Sequence, residues 1–351
     1  MVLADDTTTT FAAPRRAAPG RAAPAAAAPP DLRFTWVALL LAAWPVIGGH
    51  VDGWAHKHLA LETFFTPWHA LLYSGLLANA AVLGWRLLAG RRAGLPWSRA
   101  LPAGYGLSLA GCALFAAGGA LDLGWHLAFG IERRFAANVS PTHLLLMVSV
   151  GLIAGGPLRA AWRRGGRLGL PGLLSATMVL STLTFFGQFD QPYTDQWVAA
   201  PAPPVAPDLA QQQGVLGIIV FTAMLLGVVL PLLARFELAF GSLALLGLNA
   251  VFVTAMEHLD PIVLVAAVAG LVGDVLLARL RPSPARRWAL RAFAFLLPAV
   301  LFGLYDLAIG LVDGLAWPAH VWAGSIVVAG LAGAALSLLL VPAAAAPARP
   351  A

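Results

Sequence analysis

Long apolar runs broken by short polar connections fill the chain from residue 34 onward. Stretches of roughly 18 or more apolar residues read as membrane spans. Ten are predicted, at about 34–56, 67–89, 101–126, 141–162, 168–188, 214–234, 238–257, 260–278, 287–309 and 316–341. The pattern predicts an all-α polytopic membrane protein of about ten transmembrane helices in five outward-facing hairpins. Residues 1–33 are rich in Ala and Pro, carry both charge signs and have no apolar core, so they read as a disordered cytoplasmic tail and not as a secretory signal. The expected organisation is this tail, a duplicated transmembrane hairpin unit over 34–167, the remaining transmembrane helices over 168–341, and a second cytoplasmic tail at 342–351.

Composition agrees with the pattern, since 60% of the 351 residues are hydrophobic and only 11% charged. The net charge of +6 suggests an anionic partner until the basic residues are located. All of the 22 Lys and Arg except Lys57, Arg133 and Arg134 fall in the two tails, in the even-numbered connections or in the span ends that flank those connections. By the positive-inside rule this predicts a multi-pass protein of the cell membrane with both termini cytoplasmic, the lipid bilayer as its partner and no nucleic acid. Cys112, the single cysteine, lies inside a predicted span, which leaves no disulfide framework and no thiolate cluster. A metal here has nitrogen and oxygen ligands only.

The 8 histidines are an independent observation once Lys and Arg have set the topology. His50, His56, His58, His69, His126, His143, His258 and His320 all fall at predicted outer ends of spans or in outer loops, as do most of the acids. Ionisable groups in that position are costly unless they pair, reach water or bind something. Two stretches also share a pattern. "DGWAHKHLALETFFTPWH" (52–69) and "DLGWHLAFGIERRFAANVSPTH" (122–143) each read Asp-x3-His, a Glu six residues after that His, then Ser/Thr-Pro-x-His, followed by an apolar span that ends in arginines. The first two hairpins therefore read as a tandem repeat. "YDLAIGLVDGLAWPAH" reads as a degenerate third copy that keeps Asp306 and His320 but has Gly310 where the i+4 His would stand.

The spacing has physical content. Asp52 and His56, like Asp122 and His126, are i and i+4 on a helix, with Cβ atoms about 5–6 Å apart. Thr66-Pro67-Trp68-His69 and Ser140-Pro141-Thr142-His143 read as N-cap, N1, N2 and N3 of the following helix. The positive end of the helix dipole disfavours an imidazolium there, which biases His69 and His143 towards the neutral form that coordinates metals. Each unit thus offers one carboxylate and two imidazoles, a set suited to Cu(II), Fe(II) or Zn(II): Asp52, His56 and His69, and Asp122, His126 and His143. Additional candidates are Glu62, Glu132, His50, His58, His258, Asp306 and His320. The bland alternative is an interfacial belt of Trp and His with capping Ser/Thr-Pro turns. Asp274, alone in its span, reads as a snorkelling acid.

The first unit, Asp52-x3-His56-x12-His69, resembles the metal motif of the C subunit of the copper membrane monooxygenases, the particulate methane and ammonia monooxygenases. The resemblance implies that Asp52 and His56 on one transmembrane helix and His69 on the next bind copper near the exoplasmic side. By analogy it extends to Asp122, His126 and His143, whose last gap is 16 residues. It covers about 20 residues of the 351, and the chain departs from that family in its ten predicted spans and its doubled unit.

Several functions follow as alternatives. One is a copper-dependent monooxygenase-like oxidoreductase, or a subunit of one beside other membrane subunits, acting on a small apolar substrate. A second is metal transport or handling, against which stand spans of Leu, Ala, Val and Gly beneath the outer layer and no methionine clusters. Haem held by facing imidazoles is a third, and a pH-responsive structural protein a fourth.

Overall fold

The computed structural model describes residues 30–59, 63–132, 135–201, 204–252 and 262–341. Among them the chain is helical, with two isolated bridges and no strands. The N-terminal group comprises α1 (Leu32–His58), α2 (Pro67–Arg92), α3 (Gly106–Phe129), the short α4 (Phe135–Val139), α5 (Pro141–Ala154) and α6 (Gly156–Arg164). The C-terminal group comprises α7 (Leu170–Phe186), α8 (Pro192–Asp195), α9 (Pro207–Arg235), α10 (Ser242–Ala250), α11 (Ile262–Leu280), α12 (Arg287–Val312) and α13 (Ala319–Leu340). Two apolar cores result, one among α1, α2, α3 and α5 and one among α7 and α9 to α13.

Seven helices are long and apolar enough to cross a membrane, and eight if α5 and α6 form one span bent by 45°. The chain is an integral, multi-pass membrane protein on this ground. The ten-span reading counted two runs that fold differently. Residues 168–188 form α7, which at 17 residues is about 26 Å long and shorter than the roughly 30 Å hydrocarbon core. Of the run 238–257 the described part, 238–252, contains the nine-residue α10, which begins only after Gly241 turns the chain at φ +90°. Apolar composition alone does not register such a turn. The expected tail boundary at 33 moves back, because Leu32 and Arg33 already belong to α1 and Asp31 caps it by accepting from Phe34 N at 2.6 Å; residues 1–29 and 342–351 of the two expected tails lie outside the described residues.

The bend between α5 and α6 has a local cause. Pro157 has no N–H to offer the Ile153 carbonyl, and the freed oxygens around the break find side-chain donors. Ser108 Oγ donates to Ile153 O at 3.1 Å, Arg159 Nη2 to Leu152 O at 2.6 Å and Ser175 Oγ to Ala154 O at 2.5 Å. Such rescue is what a broken helix needs in lipid.

α1 packs along α2 and α3 along α5. In the first pair the backbones nearly touch: a Cβ built on Gly48 would lie 2.9 Å from Leu72 Cα, and one on Gly75 would lie 2.8 Å from Pro45 N. Asn79 adds a polar tie, its Nδ2 donating to Leu41 O at 2.6 Å and to Gly75 O at 2.8 Å. This close approach carries the C-terminal end of α1 to the first turn of α2.

Candidate metal centre

Thr66 and Ser140 cap α2 and α5: the His69 N–H donates to Thr66 Oγ1 at 3.3 Å and the His143 N–H to Ser140 Oγ at 3.4 Å. Pro67 and Pro141 occupy the first turn, as the sequence pattern requires. Each cap places its histidine at the start of a helix that packs against the one bearing the Asp-x3-His pair.

Two groups of ligand atoms assemble in this way. Asp52, His56 and His69 form one and Asp122, His126 and His143 the other, and within each group one atom from every residue lies within 4.8 Å of the others. His69 Nε2 is 3.1 Å from Asp52 Oδ1, and His56 Nε2 is 3.8 Å from Asp52 Oδ2. In the second group His143 Nε2 is 3.2 Å from Asp122 Oδ1 and His126 Nε2 is 3.4 Å from Asp122 Oδ2. Ligand atoms held about 2.0–2.2 Å from one ion sit roughly 3–4 Å apart, so both sets fit a single metal ion with small adjustments.

The backbone fixes the tautomers. Nδ1 of His69 donates to the Phe64 carbonyl, and Nδ1 of His143 donates to the Ala137 carbonyl at 2.5 Å. His126 Nδ1 lies 3.2 Å from the Gly130 carbonyl. A neutral imidazole whose Nδ1 carries the proton turns the Nε2 lone pair towards the carboxylate. Lone pair then faces lone pair at about the van der Waals limit, an arrangement relieved by a proton or by a cation between the two. Asp52 Oδ1, His56 Nδ1 and His126 Nε2 are buried atoms without a hydrogen-bond partner, a cost that a cation held among them would offset.

Surroundings distinguish the two groups. Thr142 Oγ1 donates to Asp122 Oδ1 at 2.7 Å, whereas the matching position in the first unit is Trp68. Glu132 approaches His126 Nδ1 at 3.7 Å and accepts from Trp125 Nε1, so this acid borders the second group. Phe64 lies between the groups, its ring 4.8 Å from His69 and 6.1 Å from His126, with Tyr73 6.0 Å away on the same side. A cavity of about 100 Å³ touches Asp52 and His56 of one group and His143 of the other, and is otherwise walled largely by apolar side chains such as Leu72, Phe115, Leu146 and Phe185.

Among the described residues, the remaining candidates do not join these groups. His50 is buried and satisfied, Nδ1 donating to Val46 O at 2.9 Å and Nε2 accepting from Ser181 at 3.1 Å, and it bridges α1 to α7. His58 donates to Trp54 O and stacks on the Trp54 ring at an exposed position. Asp306 is buried and His320 exposed, and no third metal-holding group occurs among the described residues, so the degenerate copy does not assemble. Glu62 and His258 lie outside the described residues. Asp274 is not a snorkelling acid: it is buried and caps α10, accepting from Leu243 N at 3.1 Å and Ala244 N at 3.3 Å. Thr142, Phe64 and Tyr73 escaped the sequence reading because a hydroxyl or an apolar ring at one position has no spacing signal of its own.

Comparison with known protein families, with curated proteins and with solved structures finds no match to this chain. The functional reading therefore rests on the site.

Proposed function

We propose that the protein is a membrane metalloprotein whose two Asp/His groups bind copper at the exoplasmic side, and that it is a monooxygenase-like oxidoreductase or a subunit of one. The observation that carries the metal is the pairing of backbone-fixed Nε2 atoms with carboxylate oxygens, twice, with partnerless buried ligand atoms among them. Iron and zinc fit the same nitrogen and oxygen donors, and the motif shared with the copper monooxygenases ranks copper first. The exoplasmic placement rests on the distribution of Lys and Arg.

A bound copper ion supplies one-electron redox chemistry. The chain's own residues supply the rest. The Phe64 and Ala137 carbonyls hold the imidazoles in the coordinating tautomer. The adjoining cavity offers Leu72, Phe115 and Leu146 to a small apolar molecule. An apolar wall beneath the ligands favours retention of a metal over its conduction.

The test is metal analysis with optical and EPR spectra of the purified protein, comparing wild type with His56→Ala and His126→Ala. About two ions per chain are expected in wild type and about one in each variant, with a Cu(II) spectrum of nitrogen and oxygen ligation. Equal metal content in all three proteins would remove the site assignment, and a haem spectrum would replace copper.

A further inference from the structure

A second, larger concavity of about 880 Å³ lies among the connections α6–α7, α9–α10 and α11–α12, and three arginines line it: Arg167 and Arg281 from two of these connections and Arg235 from the last turn of α9. They are brought together by backbone. Residues Arg167 and Glu237 form a parallel bridge, and Leu168 N donates to Glu237 O at 3.3 Å, which ties the α6–α7 connection to the end of α9. Arg235 is anchored there, with Nε at 3.2 Å and Nη2 at 2.9 Å from Trp162 O. The Arg167 and Arg281 side chains have no hydrogen bond and no ion pair among the described residues.

The acids that share the concavity do not neutralise it. The Asp274 carboxylate is spent on the N-terminus of α10, and Glu237 is one exposed acid among three guanidinium groups. Arg281 also sits at φ +48°, in the left-handed region that suits glycine and is strained for arginine. Strain of this kind, retained at a position whose side chain faces a concavity, points to a use for that side chain. The rim carries Leu277 and the exposed Phe240. Planar guanidinium forks recognise phosphate oxygens, and basic pockets between transmembrane helices recognise phosphate headgroups.

We propose that this groove binds a phosphate-bearing anion, with Arg167 and Arg281 as its principal contacts and Arg235 as a fixed third charge. An anionic lipid headgroup and a soluble phosphate share that chemistry. Phe240 and Leu277 at the rim offer an acyl chain a surface, which a soluble phosphate does not need.

The experiment follows the melting temperature of the full chain in detergent by its tryptophan fluorescence. Phosphatidylglycerol, phosphatidylcholine or inorganic phosphate is added at matched concentration to wild type, to Arg167→Gln/Arg281→Gln and to Arg281→Gly. Phosphatidylglycerol is expected to raise the wild-type transition by about 5 °C when well above its Kd, phosphatidylcholine to leave it in place, and the double variant to lose the shift. Arg281→Gly relieves the left-handed strain, so it should fold at least as well as wild type and yet keep half the shift or less. A shift from inorganic phosphate equal to that from phosphatidylglycerol would support the phosphate site and assign it a soluble ligand. Equal shifts from the two lipids, or a full phosphatidylglycerol shift in both variants, would overturn the proposal. Metal content of these variants should match wild type, which separates this outcome from the copper reading.

Discussion

The Thr142 hydroxyl donates a 2.7 Å hydrogen bond to Asp122 Oδ1, the oxygen that faces His143. Outer partners of this kind orient a ligating carboxylate, and their loss typically lowers metal affinity by 10- to 100-fold. Thr142→Val keeps the shape and removes the hydroxyl. Competition with a chelator should show one of the two ions in this variant bound roughly 10-fold more weakly and the other unchanged. Uniform weakening of both ions, or of neither, would contradict the distinction between the groups.

Gly75 faces Pro45 at backbone distance, well below the ligand layer. Gly75→Val inserts a branched side chain where even a Cβ has no room, and so wedges α1 from α2. The expected result is loss of the ion held by Asp52, His56 and His69, with the second ion retained because α3 and α5 form a separate contact. Stoichiometry by metal analysis decides this, and a variant that keeps both ions would show that the close approach does not set the site.

His50 differs in kind from the neighbouring histidines, because both its ring nitrogens are already engaged with Val46 and Ser181. His50→Ala should therefore keep the wild-type metal content while destabilising the fold by about 1–3 kcal/mol, since it leaves the buried Ser181 hydroxyl without its partner. Metal analysis beside a thermal melt separates the two effects. Loss of an ion with an unchanged melt would make His50 a ligand.

Asp190, in the connection after α7, is buried, and its carboxyl is pushed up to about 6 by that burial, with Trp197 acting in the opposite direction. A folded-state value above the ordinary 3.8 means that the unfolded chain gives up its proton first as pH rises. Stability should thus fall between about pH 4 and 6 and level off above, with a contribution on the order of 3 kcal/mol. Asp190→Asn should remove this slope and melt higher than wild type at pH 7.5. An unchanged slope would show that Asp190 is hydrated in the folded protein.

What could be read in the sequence divides along a physical line. The Asp-x3-His pairs, the capping Ser/Thr-Pro turns and the apolar runs are local periodicities, and the positions of Asp52, His56, His69, Asp122, His126 and His143 relative to their helix ends followed from them. Where a helix stops inside an apolar run was not legible. Gly241 and the Asp274 cap set the start of α10, and the cap comes from a residue 31 positions away. The satisfied state of His50 depends on Ser181, across 131 residues. The service of Phe64 to His69 runs through a carbonyl that every residue possesses, so the one-dimensional pattern carries no trace of it.

Phe64 has two jobs that fall on different atoms. Its carbonyl oxygen accepts from one imidazole, and its ring lies 6.1 Å from a second imidazole, that of His126 on α3. Any displacement of this single loop residue is consequently felt at both ligand sets together. The two Asp/His groups, however alike in their donors, are thus mechanically joined through one side chain and its backbone.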